Sequence, residues 1–240
     1  AARIFLSFPE TIGSYPHAKA VYVGNPVRAA FASPPSRDEA CARFQLDPSR
    51  PAILITGGSQ GARSINETVA KMLALFSPDE LQVVWMTGHN DAALARDAAK
   101  DSPVPVQVHP FIEDMAAAFA AVDLVIARSG ASTTAELALM HKPSVLIPYP
   151  HATDNHQEHN AKGFVESGAA VLLRDNEMSP ESLANLVREL IGDRARLASM
   201  ERAAATTGMP LKSLPELPEM QPVHGPAQEG VLAPTGAISA

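Results

Sequence analysis

Two segments of this chain share one build, and that build constrains the fold more than any other feature of the sequence. Ile53-Leu54-Ile55-Thr56 runs into Gly57-Gly58-Ser59-Gln60-Gly61-Ala62, and Leu124-Val125-Ile126-Ala127 runs into Arg128-Ser129-Gly130-Ala131-Ser132-Thr133-Thr134. Each is a short apolar strand that ends in a Gly/Ser/Thr turn and then opens a helix. Such a turn leaves unpaired backbone N–H groups and the positive end of a helix dipole at the carboxyl edge of a sheet. Hydroxyl side chains add further donors, and the combination suits the diphosphate of a nucleotide.

The same rhythm continues along the chain. Strand-like runs fall at 52–56, 82–87, 104–108, 123–127, 144–147 and 170–173. Helical patterns fall near 38–45, 62–76, 91–99, 114–121, 132–140, 156–167, 179–191 and 193–207. Short apolar strands alternating with helices predict a doubly wound α/β domain, a Rossmann-like parallel sheet covered on both faces, with ligands held at the carboxyl edge. Two short apolar pieces, Ile4 to Phe8 and Ala20 to Val23, precede Gly24-Asn25-Pro26-Val27-Arg28. From Met209 the chain carries Pro210, Pro215, Pro218, Pro222, Pro226 and Pro234 with little periodicity, and such a tail is expected to be disordered. The expected organisation is therefore a fragment over 1–24, a nucleotide-binding domain over 25–208 and a Pro-rich tail over 209–240.

Composition narrows the function classes. Hydrophobic residues make up 46% of the 240, enough for a sizeable core, and the net charge of −7 leaves no basic stripe for nucleic acid. The single Cys41 excludes an internal disulfide and a four-cysteine zinc site. No apolar run approaches the roughly 20 residues of a membrane span. Ala1 to Ser7 has too short an apolar core for a secretory signal, and reads as a strand beginning mid-domain.

Each motif has a bland reading beside the functional one. Gly57-Gly58-Ser59-Gln60-Gly61 satisfies the G-x-S-x-G of a hydrolase nucleophile elbow, for which Asp123, Asp154 or Asp175 would be the acid and His156, His159 or His224 the base. Phosphate cradling by Ser59 fits better, since the one histidine-rich loop holds its own Asp154 and leaves no separate strand end for the acid. A plain turn with Ser59 as helix cap is the third reading. Ser132, Thr133 and Thr134 can likewise cap a helix, but one cap needs one hydroxyl. Glu136, placed in the first helical turn, can accept hydrogen bonds from a ribose diol. Arg128 suits a buried tie between loops. Phe111-Ile112-Glu113-Asp114-Met115 reads alone as a turn with Asp114 as cap. Gln157 and Asn160 share a helix face and can bind sugar hydroxyls through their amides, or be polar surface. His156 and His159 match no zinc spacing, and no metal or cofactor is expected.

Together Gly24 to Arg28, Gly57 to Arg63, Phe111 to Met115, Arg128 to Ala131 with Glu136, and Asn155 to Glu158 with Asn160 resemble the MurG family over about residues 20–205. Members of that family are bacterial UDP-N-acetylglucosamine transferases that convert lipid I to lipid II in peptidoglycan synthesis. The resemblance implies the C-terminal, donor-binding half of a GT-B glycosyltransferase. It implies that Arg28 reaches the nucleotide, that Ser59 binds the diphosphate, and that the Ile112 backbone pairs with uracil. By the same resemblance Ala131, Ser132, Thr133, Thr134, Ala135 and Glu136 hold phosphates and ribose, while Gln157 and Asn160, helped by His156, read the GlcNAc hydroxyls.

The implied partners are UDP-GlcNAc and, through the rest of the family's length, the lipid I acceptor at the cytoplasmic face of the inner membrane. The leaving diphosphate would be stabilised by helix dipoles and N–H groups instead of a metal. The family's N-terminal domain, with its acceptor site and general base, is not in this sequence, so the chain alone is expected to bind donor weakly and transfer little. A stand-alone nucleotide-sugar-binding subunit of a split transferase is the alternative, and a serine hydrolase using Ser59 the remote one.

Overall fold

A computed structural model describes residues 4–6, 20–22, 25–152 and 155–207, all within one unit spanning residues 1–210. The expectations for most of residues 1–24, for Asp154 and His224, and for the Pro-rich tail lie outside the described residues. Two short parallel strands, β1 (Ile4–Leu6) and β2 (Ala20–Tyr22), pair with each other. The six expected strands form one parallel sheet: β3 (Ala52–Thr56), β4 (Gln82–Met86), β5 (Val106–His109), β6 (Leu124–Ala127), β7 (Ser144–Leu146) and β8 (Ala170–Leu172), in the order β5-β4-β3-β6-β7-β8. The doubly wound α/β expectation is met.

The eight expected helices are present: α1 (Arg37–Arg43), α2 (Arg63–Met72), α3 (Ala92–Lys100), α4 (Met115–Ala121), α5 (Ala131–Leu139), α6 (His156–Glu166), α7 (Pro180–Gly192) and α8 (Arg194–Thr207). The helix expected over 62–76 stops at Met72 and tightens into a 3₁₀ turn over Leu73–Leu75 before Phe76 turns extended. Its end lies just before Ser77-Pro78, where proline biases the preceding backbone away from helix. The strand expected from 104 begins at Val106, since Pro105 has no N–H for the ladder.

Why the central strands are apolar everywhere but at their ends, where Thr56, Gln82 and Ser144 stand, follows from their two cores. Leu54, Val84, Met86, Val125, Ala127 and Leu146 face one core with α1, α4, α5 and α6. Ile53, Ile55, Val83, Trp85, Leu124, Ile126 and Val145 face the other with α2, α3 and α7. Consecutive strand residues alternate faces, and covering both faces leaves polar residues only at strand ends. Each such side chain contributes about 1.5–3 kcal/mol by leaving water. Among the described residues, no helix is long and apolar enough to cross a membrane.

This strand order fixes where a ligand can sit. From β3 the chain moves outward through β4 to β5, then returns past both to β6 on the other side of β3. Thr56 pairs with Ala127, so the turns after β3 and β6 leave the sheet side by side. They then lead to helices on opposite faces, α2 and α5, and open a crevice at the topological switch point.

Candidate functional site: a nucleotide-sugar crevice

The first feature of this crevice is what its helices lack. Ser36, Asp114 and Ser179 each cap the helix they precede with a side-chain oxygen, and Asp193 accepts the Arg196 N–H at the start of α8. Helices α2 and α5 open on Ala62 and Gly130 with no side-chain cap, as α3 and α6 do after Asp91 and Asn155, but only α2 and α5 follow the paired ends of β3 and β6. The first intrahelical bonds there are made by Asn66 N–H to Ala62 O (2.9 Å) and Thr134 N–H to Gly130 O (3.0 Å). The preceding N–H groups of each first turn have no intrahelical acceptor. Neither first turn contains an acidic residue, and α2 begins with the cation Arg63. The Arg63 charge is met within the chain by Glu67 (2.6 Å) and Asp91 (2.8 Å).

The alternative readings of these hydroxyls as helix caps are not met. Ser59 precedes α2 by four positions, and Ala62 occupies its N-cap. Ser132, Thr133 and Thr134 lie inside α5, because the Gly130 backbone already has the extended cap conformation. Thr134 Oγ1 donates back to Gly130 O (3.2 Å) or Ala131 O (3.1 Å), which satisfies its hydroxyl and caps nothing. Ser59 and Ser132 are exposed at the crevice, with Thr133 half-buried. Glu136 is the sixth residue of α5, a turn further in than expected.

Nor is the 57–61 turn a nucleophile elbow. The left-handed backbone falls on Gly58 (φ +85°) and Gly61 (φ +78°), and Ser59 is not in that region. An elbow concentrates its strain on the nucleophile itself at the strand-to-helix turn. Here glycines take the unusual conformations, and their own N–H groups close the turn, Gly58 to Thr56 Oγ1 (3.0 Å) and Gly61 to Gly58 O (3.0 Å).

At one end of the crevice Arg28, Glu136 and the 111–114 turn meet. The Arg28 guanidinium reaches Glu136 Oε1 (3.1 Å) through Nη2 and Glu113 O (3.1 Å) through Nη1, and lies 5.4 Å from the Phe31 ring centre. The Glu136 side chain is only 13% exposed. Burial pushes its carboxyl above the usual carboxylate range, and the Arg28 charge and hydrogen bond pull the other way. Ile112 is buried beneath this group, and its N–H donates to Met86 Sδ at 3.3 Å. Asp114 caps α4 as expected, accepting from Ala117 N–H (3.0 Å).

At the other end α6 is tied to the loops around it. Ser129 Oγ donates to Gln157 O (2.8 Å), and Asn160 Nδ2 donates to Ser129 O (2.9 Å). Gln157 Oε1 accepts the Tyr149 N–H (3.0 Å), so both amides share a role in loop packing. Arg128 is the buried tie the sequence suggested. It donates to Ile147 O (3.2 Å), Pro148 O (3.0 Å) and Ser64 Oγ (2.8 Å), and pairs with Asp175 at 2.6 Å. Beside it opens a cleft of about 380 Å³ lined by Tyr149, Asn155, Glu158, Arg174, Asp175 and Asn176 with Pro148 and Pro150.

Sequence reasoning missed Asp175 and Ser64 as partners of Arg128, and Met86 beneath Ile112. No local pattern announces them, because each partner comes from a distant element. Of the residues singled out in the sequence, the structure brings Arg28 onto Glu136 and Glu113, next to Ile112, and ties Gln157 and Asn160 to Ser129 and Tyr149.

The comparisons with known proteins show the family. Residues 52–213 match the model of the glycosyltransferase family 28 C-terminal domain. The UDP-N-acetylglucosamine–N-acetylmuramyl-(pentapeptide) pyrophosphoryl-undecaprenol N-acetylglucosamine transferase of Chlorobium phaeobacteroides is 42% identical over 88% of this chain and 57% of its own length. The enzyme of that name from Myxococcus xanthus is 39% identical over 86% of this chain and 53% of its own. The chain thus spans little more than half the length of the curated relatives it matches. Among solved structures, Acinetobacter baumannii MurG superposes with a TM-score of 0.69 at 32% identity, covering 86% of this chain and 56% of that one. The kitacinnamycin glycosyltransferase, at 20% identity and a TM-score of 0.58, shares the fold. With its Rossmann-like sheet, its MurG-like motifs and this match, the chain belongs to glycosyltransferase family 28, through that family's C-terminal domain.

Proposed function

We propose that this chain is the donor half of a transferase that moves N-acetylglucosamine from UDP-GlcNAc to lipid I, forming lipid II for peptidoglycan. The observation that carries the reading is the pair of uncapped helix N-termini, α2 and α5, side by side at the switch point. They match the two negative phosphates of a nucleoside diphosphate, each helix offering N–H groups and a dipole end. Ser59 and the 131–133 segment supply the polar contacts around them. Uridine then lies toward Ile112. Its ribose hydroxyls donate to Glu136, and the base pairs with the Ile112 backbone in place of the weak sulfur acceptor. The hexosamine extends the other way, toward Gln157, Asn160 and the Tyr149 cleft.

In the transfer, negative charge grows on the leaving diphosphate as the glycosidic bond breaks. The fixed N–H groups and dipoles of α2 and α5 stabilise that charge without reorganising. The acceptor hydroxyl and the base that takes its proton belong to the part of the enzyme outside this sequence, as does contact with the cytoplasmic face of the membrane. Calorimetric titration of the chain with UDP-GlcNAc, against UDP, UDP-glucose and ADP, tests the reading. Saturable binding that prefers uridine to adenosine and GlcNAc to glucose is expected. Equal affinity for UDP and ADP would overturn the nucleoside assignment.

A further inference from the structure

The diphosphate loop is braced from outside the site by a buried network that no ligand role explains. Asn66, in α2 and fully buried, has a completely satisfied amide. Its Nδ2 donates to Thr87 O (2.9 Å) and Asp91 Oδ2 (2.8 Å), and its Oδ1 accepts from Trp85 Nε1 (3.0 Å). Asparagine is a poor choice for a helix interior on propensity alone, so its place reflects these bonds.

Asp91 adds a second anomaly. It stands at the N-cap of α3, where aspartate is a favoured cap, yet its side chain makes no cap bond there. The carboxylate, 5% exposed, turns back to α2 and takes Asn66 on Oδ2 and Arg63 Nη1 on Oδ1 (2.8 Å). Arg63 and Asn66 are the first and fourth residues of the helix whose N-terminus faces the crevice.

A third observation puts the two loops in backbone contact. A Cβ on Gly61 would lie 2.2 Å from Thr87 O, and a Cβ on Gly88 would lie 2.6 Å from Gln60 O. Only two glycines allow the 57–61 and 87–91 loops to touch in this way, and both are left-handed (Gly61 φ +78°, Gly88 φ +75°).

From these three features we infer that Asn66 and Asp91 are positioning residues for the diphosphate. They clamp the 57–61 loop and the first turn of α2 onto the 87–91 loop, so that the N–H groups aimed at the phosphates are set before the ligand arrives. The assignment rests on the nucleotide reading above. Preorganised donors lose nothing to reorganisation when charge develops, whereas a loop free to move gives up part of the binding energy to ordering. The brace acts first on the phosphates, because Arg28 and Glu136 hang on other elements and Ile112 meets it only through Met86, the neighbour of Thr87.

The test separates phosphate from nucleoside. Asn66→Ala and the nearly isosteric Asp91→Asn are titrated with uridine and with UDP, and amide hydrogen exchange of residues 58–62 is followed in the ligand-free chain. The expected result is UDP affinity reduced tenfold or more, uridine affinity within twofold of the parent, and faster exchange at 58–62. Where Asn66→Ala does not fold, Asp91→Asn carries the measurement. Equal losses for uridine and UDP, or a lower melting temperature with both affinities intact, would show a merely structural network and overturn the assignment. A parent chain that binds UDP no better than uridine would sink the nucleotide reading itself. The exchange data still judge the brace in that case, and unchanged exchange at 58–62 in both variants would refute it.

Discussion

Arg28 and Glu136 form an ion pair across the crevice, Nη2 to Oε1 at 3.1 Å, between residues 108 positions apart in sequence. The same guanidinium holds the Glu113 carbonyl, so one side chain joins the segment before α1, the turn before α4 and the second turn of α5. The pair is asymmetric, with the arginine side chain 49% exposed and the glutamate 13%. Glu136 is thus a desolvated carboxylate with one charged partner, ready to accept hydroxyl donors that water supplies poorly.

If Glu136 holds the ribose, Glu136→Ala weakens UDP binding by about 1–3 kcal/mol, the range for hydrogen bonds to a charged group. Isothermal titration at pH 7.5 measures it, and equal affinity would remove Glu136 from the site. Glu136→Gln keeps the shape and loses less.

Affinity should also depend on pH through the same group. Burial raises the Glu136 carboxyl and Arg28 lowers it, so Arg28→Ala raises it further. UDP affinity is expected to fall as pH drops through that pKa, and the fall begins at higher pH in Arg28→Ala. Titrations between pH 5 and 8 on both proteins check this; superimposable profiles would contradict it.

His109 makes stability, too, fall with falling pH. Its Nε2 is buried without a partner, its ring lies edge-on to Phe44 at 5.5 Å, and burial lowers its pKa below 6.5. The unfolded chain therefore binds the proton more readily. Stability from this group is complete above the unfolded pKa and is lost as pH falls through the native one. His109→Phe keeps the ring packing and should flatten the decline in melting temperature below pH 6.5, measured by thermal denaturation across pH 5–7.5.

Two glycines of one loop should respond differently to alanine. Gly58 is left-handed with open space around its Cβ position, so Gly58→Ala costs about 1–2 kcal/mol of backbone strain. Gly61→Ala adds a clash with Thr87 O, which packing strain makes worth about 1–3 kcal/mol more. Urea unfolding of the two variants gives the difference directly.

Arg128→Ala should be the most damaging single change at the crevice, by about 3–5 kcal/mol. It leaves Asp175, whose side chain is 19% exposed, without its cation and strips the donors from Ile147 O and Pro148 O. Equilibrium unfolding measures the loss, and an effect below about 1 kcal/mol would mean water replaces the guanidinium.

What the sequence determined by itself is local in origin. Apolar runs such as Ile53 to Ile55 can only be strands buried on both faces, and the Gly and Ser turns after them can only lead into helices. Element type and most boundaries therefore followed from periodicity, to within about two residues, while the helix expected to 76 ends at Met72. Tertiary structure decided everything that depends on which elements are neighbours. Periodicity does not say that the return from β5 lands beside β3, and that crossing alone sets the turn after Thr56 next to the turn after Ala127. Nor could sequence show that Asp91 leaves its own helix for Asn66, or that Arg28 closes on Glu136, since those bonds join residues separated by 25 and 108 positions. Which hydroxyls cap stayed open for the same reason. A serine or threonine near a helix start is legible, but whether Gly130 already holds the cap conformation depends on the path by which the chain leaves the sheet. Short-range sterics and burial write themselves into composition and spacing, whereas contacts across the crevice exist only once the sheet has been wound.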